Sequence, residues 1–306
     1  MLLPKNSGVM LMKIIPDVLI ILFLMCFVSF PALSQEQGVV VEFNQDLKPV
    51  NWAGAYINPK FTTILDNGYY LTGDDKFYFT LIPSENRSIC ITYLVLHPHV
   101  AGQFDDGNII YMSKDRLLEV TRKGKLVKKF QPDFHIFSFL KYDENRIVIS
   151  ANNPDAPLVL VNRKDEKLWH KNKFVRHINR TYQNNILCKV ENADRSVSLM
   201  EIDITGDIKW EIPLLYPVEY MIKIDKNRFL IFKHDRNVEV AKYEDKQFIP
   251  VKKLKGFSDV FGINMLENGH LMINGQYNLE KPEFPDVYFE DLTPTKQFRL
   301  PQEKNQ

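Results

Sequence analysis

An acid recurs through this 306-residue chain at nearly constant spacing: Asp75, Asp115, Asp155, Asp194 and Asp235 lie 40, 40, 39 and 41 residues apart. A base follows four of them, as Lys76, Arg116, Arg195 and Arg236, and His234 precedes the last. Brought together in space, these groups would form a ring of alternating charge able to hold a polar ligand such as a sugar, a peptide or an ion. The same acids have a plainer use, because Asp stabilises tight loops by accepting hydrogen bonds from nearby backbone. Histidine offers a second chemistry. His97-Pro98-His99 places two imidazoles at i, i+2, a spacing open to metal ligation or to a catalytic base, with Asp105 or Asp106 as a third group. His135 and His177 recur further on, and an exposed or structural role is the plainer reading for all of them. There is no Gly-rich phosphate loop, Gly-x-Ser-x-Gly elbow, His-Glu-x-x-His helix or Cys-x-x-Cys pair. No cofactor and no metal is therefore expected, and no catalytic residue is assigned.

The elements that position these residues follow from a repeat of about forty residues. Turn signals recur at Gly68, Gly107, Asn145, Asn185, Asn227 and Gly269, and Gly and Asn tolerate the positive φ of tight hairpins. An apolar run follows each turn, such as Ile109-Ile110-Tyr111, Ile186-Leu187-Cys188 or Leu271-Met272-Ile273. Continuous runs of this kind suit strands buried on both faces. A second turn follows in each repeat, at Glu85-Asn86, Lys123-Gly124, Lys164-Asp165, Thr205-Gly206, Glu244-Asp245 and Pro294-Thr295. Each repeat thus reads as four short strands, a to d, which is the formula of a β-propeller blade. Val39–Phe43 and Leu47–Val50 read as a lone c–d pair that joins the last blade and closes the ring. The predicted fold is an all-β propeller of four-stranded antiparallel blades, six in number. A seventh blade is the alternative, if Val287–Leu292 and Lys296–Leu300 complete one of their own. The recurring acids then fall in the b–c loops, on the face shared with the d–a loops that carry His97, His99, His135 and His177.

The 39 basic and 38 acidic residues nearly cancel. A nucleic-acid binder shows a basic excess, so that class of partner is not expected. Residues 1–34 read as a secretory signal peptide: Lys13, the apolar run Val18–Phe30, Pro31, then Ala32-Leu33-Ser34 before Gln35. The run is too short to span a bilayer comfortably, so no membrane span is expected after cleavage. An uncleaved anchor and a lipoprotein using Cys26 are the alternatives, and Met25 before that cysteine speaks against the second. Residues 35–301 read as a single propeller domain and 302–306 as a polar tail. Cys90 and Cys188 sit in apolar runs of different repeats and read as buried free thiols rather than a disulfide. Few cysteines together with export point to a periplasmic or extracellular protein of a bacterium. Trp52, Trp169 and Trp210 read as packing between blades more readily than as a carbohydrate platform.

The segment Ile202-Asp203-Ile204-Thr205-Gly206-Asp207-Ile208-Lys209-Trp210 resembles the repeat of PQQ-like propellers, and Val161–Trp169 echoes it. Leu266-Glu267-Asn268-Gly269-His270-Leu271-Met272-Ile273 resembles the repeats of arylsulfotransferase-like propellers. The resemblance implies a propeller of that superfamily. It does not imply the quinone, because only two repeats carry the Trp, with Lys128 and Val251 near that place elsewhere, and the vicinal Cys-Cys pair of quinoprotein dehydrogenases is missing. Many PQQ-like propellers are scaffolds without a cofactor. The expected function is accordingly an exported, non-enzymatic binding or scaffold propeller with a protein, a polar small molecule or a glycan as its ligand. The alternative is a propeller enzyme working in the central channel, either a glycan hydrolase or lyase or a sulfuryl transferase.

Overall fold

The apolar runs after the first turns become the second strands of antiparallel sheets, and the polar turns separate them. A computed structural model describes residues 37–55, 59–73, 78–82, 87–89, 98–113, 116–122, 125–130, 135–214, 218–277 and 286–292. The predicted leader, the polar tail, Asp75, Lys76, Cys90, His97 and Asp115 lie outside these residues. So do the second turns at Glu85-Asn86, Lys123-Gly124 and Pro294-Thr295.

In chain order, β1 (Gln37–Phe43) and β2 (Pro49–Ala55) come first. The first sheet is β3 (Phe61–Ile64), β4 (Tyr70–Gly73), β5 (Tyr78–Ile82) and β6 (Arg87–Ile89). The second is β7 (Pro98–Gln103), β8 (Ile109–Ser113), β9 (Arg116–Val120) and β10 (Leu126–Phe130). The third is β11 (Ile136–Lys141), β12 (Arg146–Ala151), β13 (Leu158–Asn162) and β14 (Lys167–Lys171). The fourth is β15 (Val175–Arg180), β16 (Ile186–Glu191), β17 (Val197–Ile202) and β18 (Ile208–Leu214). The fifth begins with β19 (Val218–Lys223), β20 (Arg228–Lys233), β21 (Val238–Glu244) and β22 (Gln247–Lys255). Then β23 (Asp259–Met265) and β24 (Leu271–Tyr277) pair with the N-terminal strands in the order β2-β1-β24-β23. The predicted closing pair is therefore present, with Val40 opposite Asn274 and Phe43 opposite Leu271.

Five sheets keep the four-strand formula and the fifth in chain order does not. There β25 (Tyr288–Asp291) adds to the outer edge of β22 in antiparallel register, Leu254 opposite Phe289. The segment offered as part of a separate seventh blade is thus a fifth strand on an existing sheet. Phe289 reaches past that sheet to meet Phe43 edge-on at 5.4 Å, and Val287 is buried in the same layer. Among the described residues there is no helix, hence none long and apolar enough to cross a membrane.

The core lies between the sheets. Alternate residues of each second strand face opposite neighbours: Ile110 and Met112 pack against the third sheet, Ile109 and Tyr111 against the first. Likewise Ile186 and Cys188 join the third sheet's layer and Leu187 joins the fifth's. This is why the runs are apolar without alternation. Each fully buried Ile, Leu or Phe in these layers contributes about 1.5–3 kcal/mol. The tryptophans pack between sheets. Trp169 donates from Nε1 to the Ile204 carbonyl at 2.8 Å and lies against Gly206, whose φ of 91° also excludes a side chain. Trp210 meets Phe229 of the next sheet, and Trp52 is buried in the layer between the fifth sheet and the closing one.

A buried acid recurs on alternate sheets. Glu42, Glu119 and Glu201 each lie opposite the second residue of the apolar run, Met272, Ile110 and Leu187. Each contacts the residue just before that run, His270, Asn108 or Asn185, at 2.6, 2.9 and 2.7 Å. Each also binds a group of the following sheet: Tyr70 donates to Glu42 at 2.5 Å, Arg163 to Glu119, and Lys223 to Glu201 at 2.6 Å. These acids clamp one sheet to the next, with both lone-pair-bearing oxygens occupied. The phenol of Tyr70 is pushed far above its ordinary range, first by burial and then by its bond to Glu42.

Three of the six first turns need correction. Gly68, Gly107 and Gly269 have positive φ, but in the fourth sheet the left-handed residue is Asn184, not Asn185. Asn145 and Asn227 do not adopt that conformation. Their turns are held by Asp143 and Asp225, which accept from the Asn amides at 2.9 Å and pair with Arg146 and Arg228.

Candidate functional site

The first strands β3, β7, β11, β15, β19 and β23 stand side by side around a central channel, each abutting the next and β23 meeting β3. Among the described residues no backbone ladder joins them, so side chains satisfy their inner edges. Asn264 of β23 donates to the Thr62 carbonyl at 2.7 Å. The Ile178 amide donates to Ser138 Oγ at 3.3 Å, and Asn179 donates to the Met221 carbonyl at 2.9 Å. Gly262 permits the closest approach, since a Cβ there would lie 1.9 Å from the Lys60 carbonyl oxygen. Within the ring is a cavity of about 390 Å³.

The turn-side end is narrowed by charge. Lys141, at the end of β11, donates to Glu144 at 2.5 Å and to Glu267 of the β23–β24 turn at 3.1 Å. This joins the third sheet to the closing sheet across the ring. Arg180 sits beside it, donating to the carbonyls of Lys141 and Tyr142 at 2.9 and 2.6 Å.

The loop-side end is shaped by β-bulges. Register shifts occur between Ile136 and Ser138, Val175 and His177, Val218 and Tyr220, and Val260 and Gly262. Four successive inner strands therefore carry an extra residue at the same height: Phe137, Arg176, Glu219 and Phe261. A bulge re-aims the side chains around it, and here it turns Phe137, His177, Tyr220 and Phe261 onto the cavity wall. His177 lies 4.5 Å from the Tyr220 ring, which stacks on Phe232 at 5.9 Å. His135 and Phe174 each meet Phe137 edge-on, at 5.2 and 5.0 Å. Burial pushes the His177 imidazole down to about 4, with Lys189 and Arg176 adding to the effect, so it is neutral at pH 7. Burial also lowers Lys189 and raises the Tyr220 phenol.

The recurring loop acids do other work. Asp194 accepts from the Ser196 amide and hydroxyl at 2.9 and 2.6 Å, and Asp235 accepts from the Asn237 amide at 3.1 Å. These bonds hold both carboxyls below the usual carboxylate range. At Asp155 the capping group is Asn153, which accepts from the Asp155 amide at 2.9 Å. Arg195 and Arg236 follow with φ of 67° and 63°, the left-handed place of each turn. Arg116 opens β9 and is exposed. The structure brings two of the sequence-derived residues to the rim, where His234 pairs with Glu219 and Arg236 with Asp259. None of Arg116, Asp155, Asp194, Arg195, His234, Asp235 and Arg236 lines the cavity. Among the described residues no group of His, Cys, Asp and Glu is placed to hold a metal ion. The residues that do form the wall, Phe137, Tyr220 and Phe261, escape sequence reasoning because they recur only after each strand's bulge is counted. His135 and His177 were visible as recurring histidines.

No protein-family profile matches the chain, and no characterised protein matches it in sequence. Solved structures similar to it include two WD40 domains and one two-protein complex. The Neurospora crassa Pan2 WD40 domain is 9% identical, with 74% of this chain and 91% of that one covered and a TM-score of 0.48. The WD40 beta propeller domain of Doa1 is 12% identical, covering 79% and 89%, at 0.46. A structure of BBS1N in complex with ARL6DN is 10% identical, covering 77% and 83%, at 0.44. None of these likenesses bears on what the channel of this chain holds. The all-β propeller class rests on its own sheet order and on the ring of inner strands.

Proposed function

We propose that this chain is a binding or scaffold propeller that grips a protein partner at the loop-side mouth of its channel. The observation that carries this reading is the repeated bulge, which sets Phe137, Arg176, Glu219 and Phe261 at one height on four successive sheets and turns Phe137, Tyr220 and Phe261 onto the cavity wall. Aromatic and Arg anchors in a partly desolvated pocket are the groups that dominate protein interfaces. The resemblance of the 202–210 repeat to PQQ-like propellers, many of them scaffolds, is in keeping with it. The test places a photo-crosslinking residue at Phe137 or Phe261, and as a control at Leu168 on an outer strand. A discrete adduct from the mouth positions alone is expected, and its purified protein component binds the wild type but not the Phe137→Ala/Phe261→Ala variant. Adducts of equal yield from Leu168, or binding untouched by the double variant, refute the reading.

We also infer that the protein works outside the cytoplasm, in a bacterial periplasm or beyond, because the apolar run and small-residue site of residues 18–34 have the form of an export signal. N-terminal sequencing of protein from the periplasmic fraction is expected to begin at Gln35. A cytoplasmic product that begins at the initiator Met contradicts it.

A further inference from the structure

Beside the channel mouth lies a second hollow of about 280 Å³, walled by Arg176, His177, Lys189, Val190, Glu191 and Val197. His177 lines both this hollow and the channel cavity, so the two meet at its ring. Three nitrogenous side chains face one carboxylate here. Arg176 is fixed in place: Nε donates to Glu191 at 2.7 Å, and the guanidinium lies 4.8 and 4.7 Å from the Phe137 and Phe174 rings. That is the only hydrogen bond of Arg176 among the described residues, which leaves both Nη groups to donate. Lys189 gives one N–H to the Val218 carbonyl at 2.5 Å and keeps two. Glu219 approaches from β19, where its carboxylate contacts His234 and its charge favours the Lys189 ammonium. Arg176 is exposed and paired with Glu191, whereas burial holds Lys189 and His177 below their ordinary ranges, so a further anion beside them would favour their charged forms.

Building on the binding function proposed above, we propose that this hollow is a carboxylate site: Arg176, Lys189 and the His177 ring receive a ligand carboxylate whose adjoining aromatic or aliphatic part enters the channel between Phe137, Tyr220 and Phe261. The geometry suits a planar two-oxygen acceptor, because a stacked guanidinium with both Nη groups available presents parallel donors. A chain-terminal carboxylate and an acidic side chain of a peptide share this chemistry.

The probes are N-acetylphenylalanine, its uncharged amide, and N-acetyl-glutamyl-phenylalaninamide, which moves the acid to a side chain. The readout is the His177 imidazole resonance, assigned with a His177→Gln variant. The groups facing that ring are Arg176 on its own strand, Lys189 and Glu191 on β16, and Glu219 and Tyr220 on β19. At least one acid probe is expected to shift the resonance saturably and raise its titration midpoint, with the amide weaker by about tenfold or more. The tighter of the two acid probes identifies the source. Arg176→Gln and Lys189→Gln are each expected to abolish the preference for acid over amide while leaving circular dichroism unchanged. If acid and amide bind alike, the carboxylate site is refuted and the partner-binding mouth survives. If neither acid probe perturbs His177, the carboxylate site is again refuted, and the crosslinking result decides the mouth independently.

Discussion

Acid should weaken this fold through one identifiable ring, that of His177. In the folded chain its imidazole titrates near 4, against 6.5 for the unperturbed group, chiefly because it is buried. The folded value is depressed, so above about pH 7.5 both states hold a neutral ring and the group contributes almost nothing to the pH dependence. As pH falls below that, the unfolded chain takes up a proton that the folded chain refuses. Stability then drops, at a limiting slope of about 1.4 kcal/mol per pH unit, until the folded ring itself protonates near pH 4. By pH 4.5 the accumulated loss is about 2.5 kcal/mol. Urea denaturation at pH 7.5 and 4.5 should show it as a double difference: the wild type loses about 2.5 kcal/mol more between the two than His177→Gln does. Turn carboxylates such as Asp194 and Asp235 also lose stabilising bonds in acid, but they do so equally in both proteins and cancel. Equal acid losses in the two proteins, or an imidazole resonance that titrates near 6.5, would refute the burial argument.

Four further outcomes follow from the packing. Gly262→Ala drives a methyl into the Lys60 carbonyl and should lower unfolding free energy by about 1–3 kcal/mol, with β3 and β23 forced apart; an unchanged urea midpoint contradicts the close approach. Glu201→Leu strands the buried Lys223 ammonium and should cost about 3–5 kcal/mol, whereas the double change with Lys223→Met recovers most of it; additive losses would show that the pair is not coupled. Trp169→Phe removes the Nε1–H bond to Ile204 and should cost about 1 kcal/mol beyond any packing change, read from denaturant melts. The Cys188 thiol, fully buried and pushed well above its ordinary range, should resist a thiol-specific reagent until the protein is denatured; prompt labelling of the native protein at Cys188 would overturn its burial.

The repeat was legible because two physical demands leave marks in residue type. Tight turns favour Gly, Asn and Asp, and strands covered on both faces must be apolar throughout, so Gly68, Gly107 and Gly269 and the runs behind them are visible without coordinates. Val39–Phe43 could be recognised as a displaced blade strand by the same signature. The one-residue slip at Asn184 and Asn185 arose because either Asn can occupy a left-handed position, and only the bond from the Asn184 amide to the Thr181 carbonyl decides between them. The cavity wall was hidden for another reason. A bulge adds one residue without requiring any particular side chain, so Phe137, Arg176, Glu219 and Phe261 share a height but are not all of one type. The Glu42, Glu119 and Glu201 clamps were equally hidden, since their partners lie on neighbouring sheets at separations set by loop length. The recurring loop acids were found at once, and their shared spacing reports the turn that each loop must make.

The pairing of β1 with β24 also governs how the chain reaches this structure. Val39, Val40 and Val41 are among the first residues of the folded ring to be synthesised, yet their ladder partners Ile273, Asn274 and Gly275 are among the last. Until those arrive, β1 is an apolar strand with an open edge, the kind of segment that invites pairing with another chain. Such a long-range closure makes for slow folding. A chain stopped before Leu271 would lack not merely one sheet but the join between its beginning and its end, and should accumulate as aggregate rather than as a shortened propeller.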